Sequence, residues 1–194
     1  MRIKEITRKL RLCGVCDEAV AWLKGSDYKT SQEAWDNCER GDWMLWIIGK
    51  TCGKDRRKLV LAACKCARLS LKYVPKDEKR PLKAITTAEN WADGNTTVED
   101  ITNAANAAAA AANDAYANVA YAANAAYYAA NAAYYVANAA SADANAAYYA
   151  ANAAYAAYAA ANANANAAAR KKILHKCAMI VRSFYPNPPR LRRK

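Results

Sequence analysis

Asn recurs at positions 124, 131, 138, 145 and 152, a spacing of seven. Tyr follows three residues later at 127, 134, 148 and 155, and four later at 128, 135 and 149. From Ile101 to Arg182 there is neither Gly nor Pro, and forty of residues 104–169 are Ala. High helix propensity without a breaker leaves the α-helix as the regular structure open to this segment. On a helix advancing about 100° per residue, offsets of three and four flank the starting residue, so Asn and its Tyr pair share one stripe. Ala occupies the opposite face, which lets helices approach near the lower end of the usual spacing. The stripe is then either a polar seam in the core or a surface for a partner.

One unbroken helix from Val98 to Tyr185 would be roughly 130 Å long, far beyond what the preceding helices could cover. Folding back is expected at the weakest helix formers: Asn113-Asp114, Ser141–Asn145 or Asn162–Asn166. Asn every seventh residue is too polar for a membrane span. Ala is a poor occupant of coiled-coil core positions. Tyr and Asn do not supply the flat threonine-type face of an ice-binding helix. Low-complexity disorder is opposed by the Ala propensity and the capped ends.

Elsewhere the chain also reads as helix. Cys16–Gly25 places Ala19, Val20, Trp22 and Leu23 on one side and ends at Gly25. Thr30 with Glu33, and Thr96 with Glu99, have capping-box spacing. Asp42 is the expected cap of a short apolar helix, and Asp55 of a helix running to Val74 and stopped by Pro75. Pro81 suits a first helical position, in a helix ending at Gly94. Pro186 ends the last helix. The expected architecture is all-α, a multi-helix bundle forming one domain over residues 1–185. Within it, 1–95 hold short mixed helices around a Trp-rich core, 96–169 the Ala/Asn/Tyr-rich helices and 170–185 a C-terminal helix. Residues 186–194 form a flexible basic tail.

The formal net charge of +12 is uneven. Residues 1–83 carry +9, residues 84–169 carry −6 with no Lys or Arg, and residues 170–194 carry +9 with no acid. Basic flanks attract anionic partners such as nucleic acid, nucleotides or an acidic protein face. The candidate anion-binding residues are Arg56, Arg57, Lys58, Arg170, Lys171, Lys172, Arg190, Arg192 and Arg193. The N-terminal residues lack the apolar stretch of an export signal. Seven scattered Cys suit reduced thiols in a cytoplasm.

Catalytic chemistry finds little support. Cys13 and Cys16 supply half of a zinc site, and Cys64 and Cys66 point in different directions on a helix, so free buried thiols are expected. His175 and Cys177 sit two apart and cannot face each other. The paired carboxylates lie near helix starts or in a loop. Trp35, Trp43, Trp46 and Trp91 fall on apolar faces and are expected in the core. No cofactor or metal is expected, and the chain reads as a binding protein rather than an enzyme.

Glu39–Ile47 (ERGDWMLWI), Arg56–Leu71, Arg80–Gly94 and Cys177–Pro186 together resemble the immunity proteins associated with bacterial polymorphic toxin systems, also met in phage-derived sequences. The likeness runs from about Cys16 to Pro186. It implies an all-helical, non-enzymatic protein that neutralises a partner by binding. Nuclease inhibitors of this kind often present acidic surfaces, whereas this chain is basic apart from its central segment. A toxin or defence protein is the expected partner, bound through Tyr127, Tyr128, Asn131, Tyr134, Tyr135, Asn138, Tyr148 and Tyr149. Two other classes stay open. One is binding of nucleic acid or a nucleotide, as in a phage anti-defence factor acting on a guide-RNA complex or a nucleotide signal. The other is a structural helical oligomer closed by Ala faces.

Overall fold

The computed structural model describes residues 3–12, 14–53, 55–117, 149, 152–153 and 167–191. Among them are eight α-helices and no strand: α1 (Ile3–Leu12), α2 (Asp17–Lys24), α3 (Ser31–Asn37), α4 (Gly41–Thr51), α5 (Arg57–Arg68), α6 (Arg80–Ala92), α7 (Val98–Ala117) and α8 (Ala167–Phe184). A 3₁₀ turn spans Leu71–Tyr73. The all-α class is as expected. The N-terminal α1 was not assigned from the sequence.

Side-chain capping sets several helix starts. Thr30 Oγ1 accepts the Glu33 N–H at 3.2 Å, as the spacing predicts, and the Glu33 carboxylate takes the Lys29 N–H at 2.8 Å. Before α7 the box forms one residue later than expected. Asp100 donates its N–H to Thr97 Oγ1 at 3.1 Å and accepts the Thr97 N–H at 3.0 Å. Thr96 instead donates its hydroxyl to Thr87 O on α6. Asp is one methylene shorter than Glu, yet it closes the same reciprocal pair. Asp55 accepts the Arg57 N–H at 3.2 Å from just outside α5. Asp42 does not cap α4: Arg40 is the cap residue and Asp42 lies inside the first turn, bonded to Arg40.

Two helix ends also differ. α5 stops at Arg68 rather than Val74, because buried Ser70 donates its hydroxyl to Ala67 O at 2.6 Å and the chain tightens into the 3₁₀ turn. α7 runs through Asn113–Asp114 without a break, and Asp114 is held there by Arg80 at 2.7 Å. The other two expected breaks lie outside the described residues.

α5 is the central helix. Leu59, Val60, Ala62, Ala63, Cys64, Cys66 and Ala67 have no exposed surface. α6 and α7 form the most extensively packed pair, through Ala84, Ala88 and Ala92 on one side and Ala104, Ala105 and Ala108 on the other. Arg68 on α5 reaches Glu89 on α6, Nε to Oε1 at 2.9 Å. That contact holds the Glu89 carboxyl below its ordinary range. A depressed folded pKa stabilises above the unfolded value of about 4.3 and the benefit vanishes as pH falls through the folded value. Glu89→Gln should therefore cost about 1 kcal/mol at pH 7 and almost nothing near pH 2, read as the urea midpoint at each pH.

α8 is fastened to α3 and α4. Arg182 donates to Cys38 O at 2.8 Å and Trp35 O at 3.2 Å, which satisfies carbonyls at the end of α3. Trp35 Nε1 donates in return to Tyr185 O at 2.9 Å. Where α4 begins, Gly41 meets α8 so closely that a Cβ there would lie 2.4 Å from Cys177 Cβ and 2.7 Å from Ala178 N. Past Phe184 the chain is non-helical, as expected, but Leu191 is only 8% exposed, so this part of the tail is docked. Burying that leucine contributes about 1.5–3 kcal/mol toward holding the segment in place.

Candidate functional site

Two features of the folded chain present chemistry to a partner. The first is the outer stripe of α5. With seven of its residues buried, what α5 shows to solvent is Arg57, Lys58 and Lys65, with Leu61 and Arg68 half-buried between them. Lys72, in the 3₁₀ turn, continues the line. Lys58 stacks over the Tyr185 ring at 4.9 Å and Lys72 over Tyr73 at 4.7 Å. Among the described residues, Glu89 pairs with the stripe through the Arg68 side chain, and Asp55 meets it at the Arg57 N–H.

The predicted cationic set is divided by the fold. Lys58 lies by Tyr185, whereas Cys66 Sγ approaches Cys177 O at 3.9 Å, so α5 and α8 run antiparallel. Lys171 and Lys172 therefore stand level with the far end of α5, about 20 Å from Arg57 at 1.5 Å per residue. Lys171 is also engaged with Glu39 at 3.3 Å. Arg56 is half-buried, and Arg190 is exposed on the terminal segment. The Arg170 side chain, Arg192 and Arg193 lie outside what is described.

The second feature is a cleft of about 430 Å³ walled by α1, α2, α3, α4 and the terminal segment. Trp22, Trp35, Trp43 and Trp46 line it together with Ile47 and Met44. Trp43 stands 6.0 Å from Trp22, which stands 5.6 Å from Tyr28. The Arg40 guanidinium lies 4.2 Å over Trp43 and donates to both Asp42 oxygens at 2.9 and 2.8 Å and to Glu18 at 2.9 Å. Burial pushes the Cys38 thiol on its wall up to about 11, so it stays protonated and is a poor nucleophile at neutral pH. Pro188, Pro189 and Leu191 close one side. The tryptophans signalled packing in the sequence; nothing local indicated that they would surround a space.

Of the Tyr–Asn stripe, Tyr149 is described, and it is half-buried against the hydrophobic core. Asn152 lines the cleft and Ala153 has no exposed surface. These three share one helical face, so the stripe turns inward at this repeat. Tyr127, Tyr128, Asn131, Tyr134, Tyr135, Asn138 and Tyr148 lie outside the described residues. His175 sits 3.6 Å from Glu39, half-exposed, while Cys177 is wholly buried. Cys64 and Cys66 are buried free thiols, as expected, whereas Cys16, expected buried as well, is exposed. Among the described residues, no three His, Cys, Asp or Glu side chains gather as a metal site, and no helix is long and apolar enough to cross a membrane.

The family model described as Imm-5 like putative immunity protein matches residues 50–179. The chain belongs to this family. No curated protein and no solved structure matches it. The matched span begins at the end of α4 and holds α5, α6, α7 and most of α8, so the cationic stripe lies wholly within the Imm-5 like region. Among the described residues that line the cleft, Asn152 is the one that falls inside that region.

Proposed function

We propose that this Imm-5 like chain neutralises a toxin protein by binding it, with no bond made or broken, and that the α5 stripe is its principal contact. The observation that carries the reading is the exposure pattern of α5: the central helix of the family region shows solvent a row of cations and almost nothing else. Such a row complements an acidic protein face, raising the association rate and fixing register. Tyr185 and Tyr73 beneath two of the lysines add aromatic area to the contact.

The experiment is capture of a partner from a lysate of the source cells, run with and without nuclease. The wild-type chain should retain a protein, and Arg57→Glu, Lys65→Glu and Lys72→Glu combined should reduce retention at least tenfold, with far-UV circular dichroism unchanged. All three side chains are solvent-facing, so the fold is expected to survive. Equal retention by the triple variant moves the interface off α5. Capture of nucleic acid alone, lost on digestion or in moderate salt, replaces the toxin reading with phosphate binding by the same cations.

A further inference from the structure

The cleft between α1–α4 and the terminal segment has no part in the proposed contact on α5. Its volume of about 430 Å³ falls in the range of small-molecule sites, and its walls are apolar and aromatic. Ordinary core voids are far smaller, because side chains interdigitate to crystal-like density. Four indoles around one space leave flat surfaces rather than the knobbed walls of a helix-packing seam.

The polar groups in the cleft narrow the choice of ligand. One guanidinium, Arg40, faces two carboxylates, Asp42 and Glu18, and is bonded to both. The local charge is therefore negative, and Arg40 has its strongest donors already committed, so an anion is disfavoured. A cation is disfavoured because two of the four indoles already carry one, Arg40 over Trp43 and Lys50 at 5.3 Å over Trp46, and a further positive charge would be repelled by both. What remains is a neutral molecule. Asn152 adds one directional demand: its Nδ2 is buried and has no hydrogen-bond acceptor among the described residues. A buried amide donor left unpartnered is costly, and an acceptor on a ligand would satisfy it.

We infer that this cleft is a binding site for a neutral, planar, mostly apolar small molecule carrying a hydrogen-bond acceptor that meets Asn152. Pro188, Pro189 and Leu191 of the terminal segment supply part of its wall. The site is independent of the α5 contact, and its failure would leave the toxin reading untouched.

The test uses the full chain and Nile red, a neutral planar dye with a carbonyl acceptor, in a fluorescence titration. Saturable one-to-one binding is expected, with tryptophan emission quenched by energy transfer. The anionic dye 1-anilinonaphthalene-8-sulfonate should bind at least tenfold more weakly. Val15→Trp fills the cleft from the α1–α2 link, where the backbone can adjust, and should weaken Nile red at least tenfold. Asn152→Leu should weaken it several-fold while leaving the melting temperature equal or higher, since it removes the unpartnered donor. Non-saturable binding, binding indifferent to both substitutions, or tighter binding of the anionic dye would overturn the inference. So would a concentration-dependent dimer in sedimentation that the dye dissociates, which would assign the cleft to a second copy of the chain.

Discussion

Gly41→Ala is expected to destabilise the chain by about 3 kcal/mol, because overpacking a close helix contact costs that order. For a domain of this size that lowers the thermal midpoint by about 10 °C. A Cβ at this position would stand 2.4 Å from Cys177 Cβ and 2.6 Å from its backbone carbon. Two of the three nearest atoms are backbone, so no rotamer change relieves the clash and α4 must move away from α8. That movement strains the Arg182 bonds to Cys38 O and Trp35 O and the Trp35 bond to Tyr185 O. The better helix propensity of Ala recovers at most about 1 kcal/mol. Gly25→Ala is the control, since its added Cβ would meet nothing closer than 3.4 Å and its φ of −81° suits any residue. Thermal unfolding followed by circular dichroism decides the matter. Equal midpoints for the two variants would show that α4 and α8 do not approach as described.

The second large effect is alkaline sensitivity. Burial raises the Cys38 thiol from 9.0 to about 11, which corresponds to ~3 kcal/mol of linkage. Cys64 is raised by burial, and Cys66 by its hydrogen bond with Cys177 and by burial. The unfolded chain releases these protons from about pH 8.5 upward while the folded chain keeps them. Stability is therefore full below pH 8.5 and falls steadily as pH rises toward the folded values. Between pH 8 and 10.5, in the presence of a reductant, the urea midpoint should drop by well over 1 M for a slope of about 2 kcal/mol/M. Cys38→Ala should make the fall shallower. A flat profile over that interval would mean that the thiols are not sequestered.

The wall of the cleft draws on α1, on the α3 and α4 indoles and on Leu191, segments separated by most of the chain length. The cationic stripe is local to α5 and its 3₁₀ turn. That difference explains why one was partly legible and the other was not. Arg57 and Lys58 could be picked out by charge alone. Lys65 and Lys72 join them only because every other face of α5 is covered, which depends on α4, α6 and α8 packing around it. The antiparallel pairing of α5 and α8 places Arg57 and Lys171 at opposite ends, a separation that charge alone does not reveal.

Local chemistry was readable wherever it acts within a few residues. Alanine propensity and the spacing of breakers determined helix, Thr30 with Glu33 determined a start, and Pro186 lay just past a stop. The shift from Thr96 to Thr97 shows the limit, since two adjacent threonines offer the same hydroxyl and only the α6 contact of Thr96 chooses between them. The sequence by itself determined the all-α class and a seven-residue repeat that predicts one shared face for its Asn and Tyr. The tertiary structure alone decided that Tyr149 and Asn152 on that face turn inward, that Gly41 must lack a side chain, and that four tryptophans enclose a space. Periodicity specifies which residues share a face of a helix; which neighbour covers that face is a matter of long-range packing.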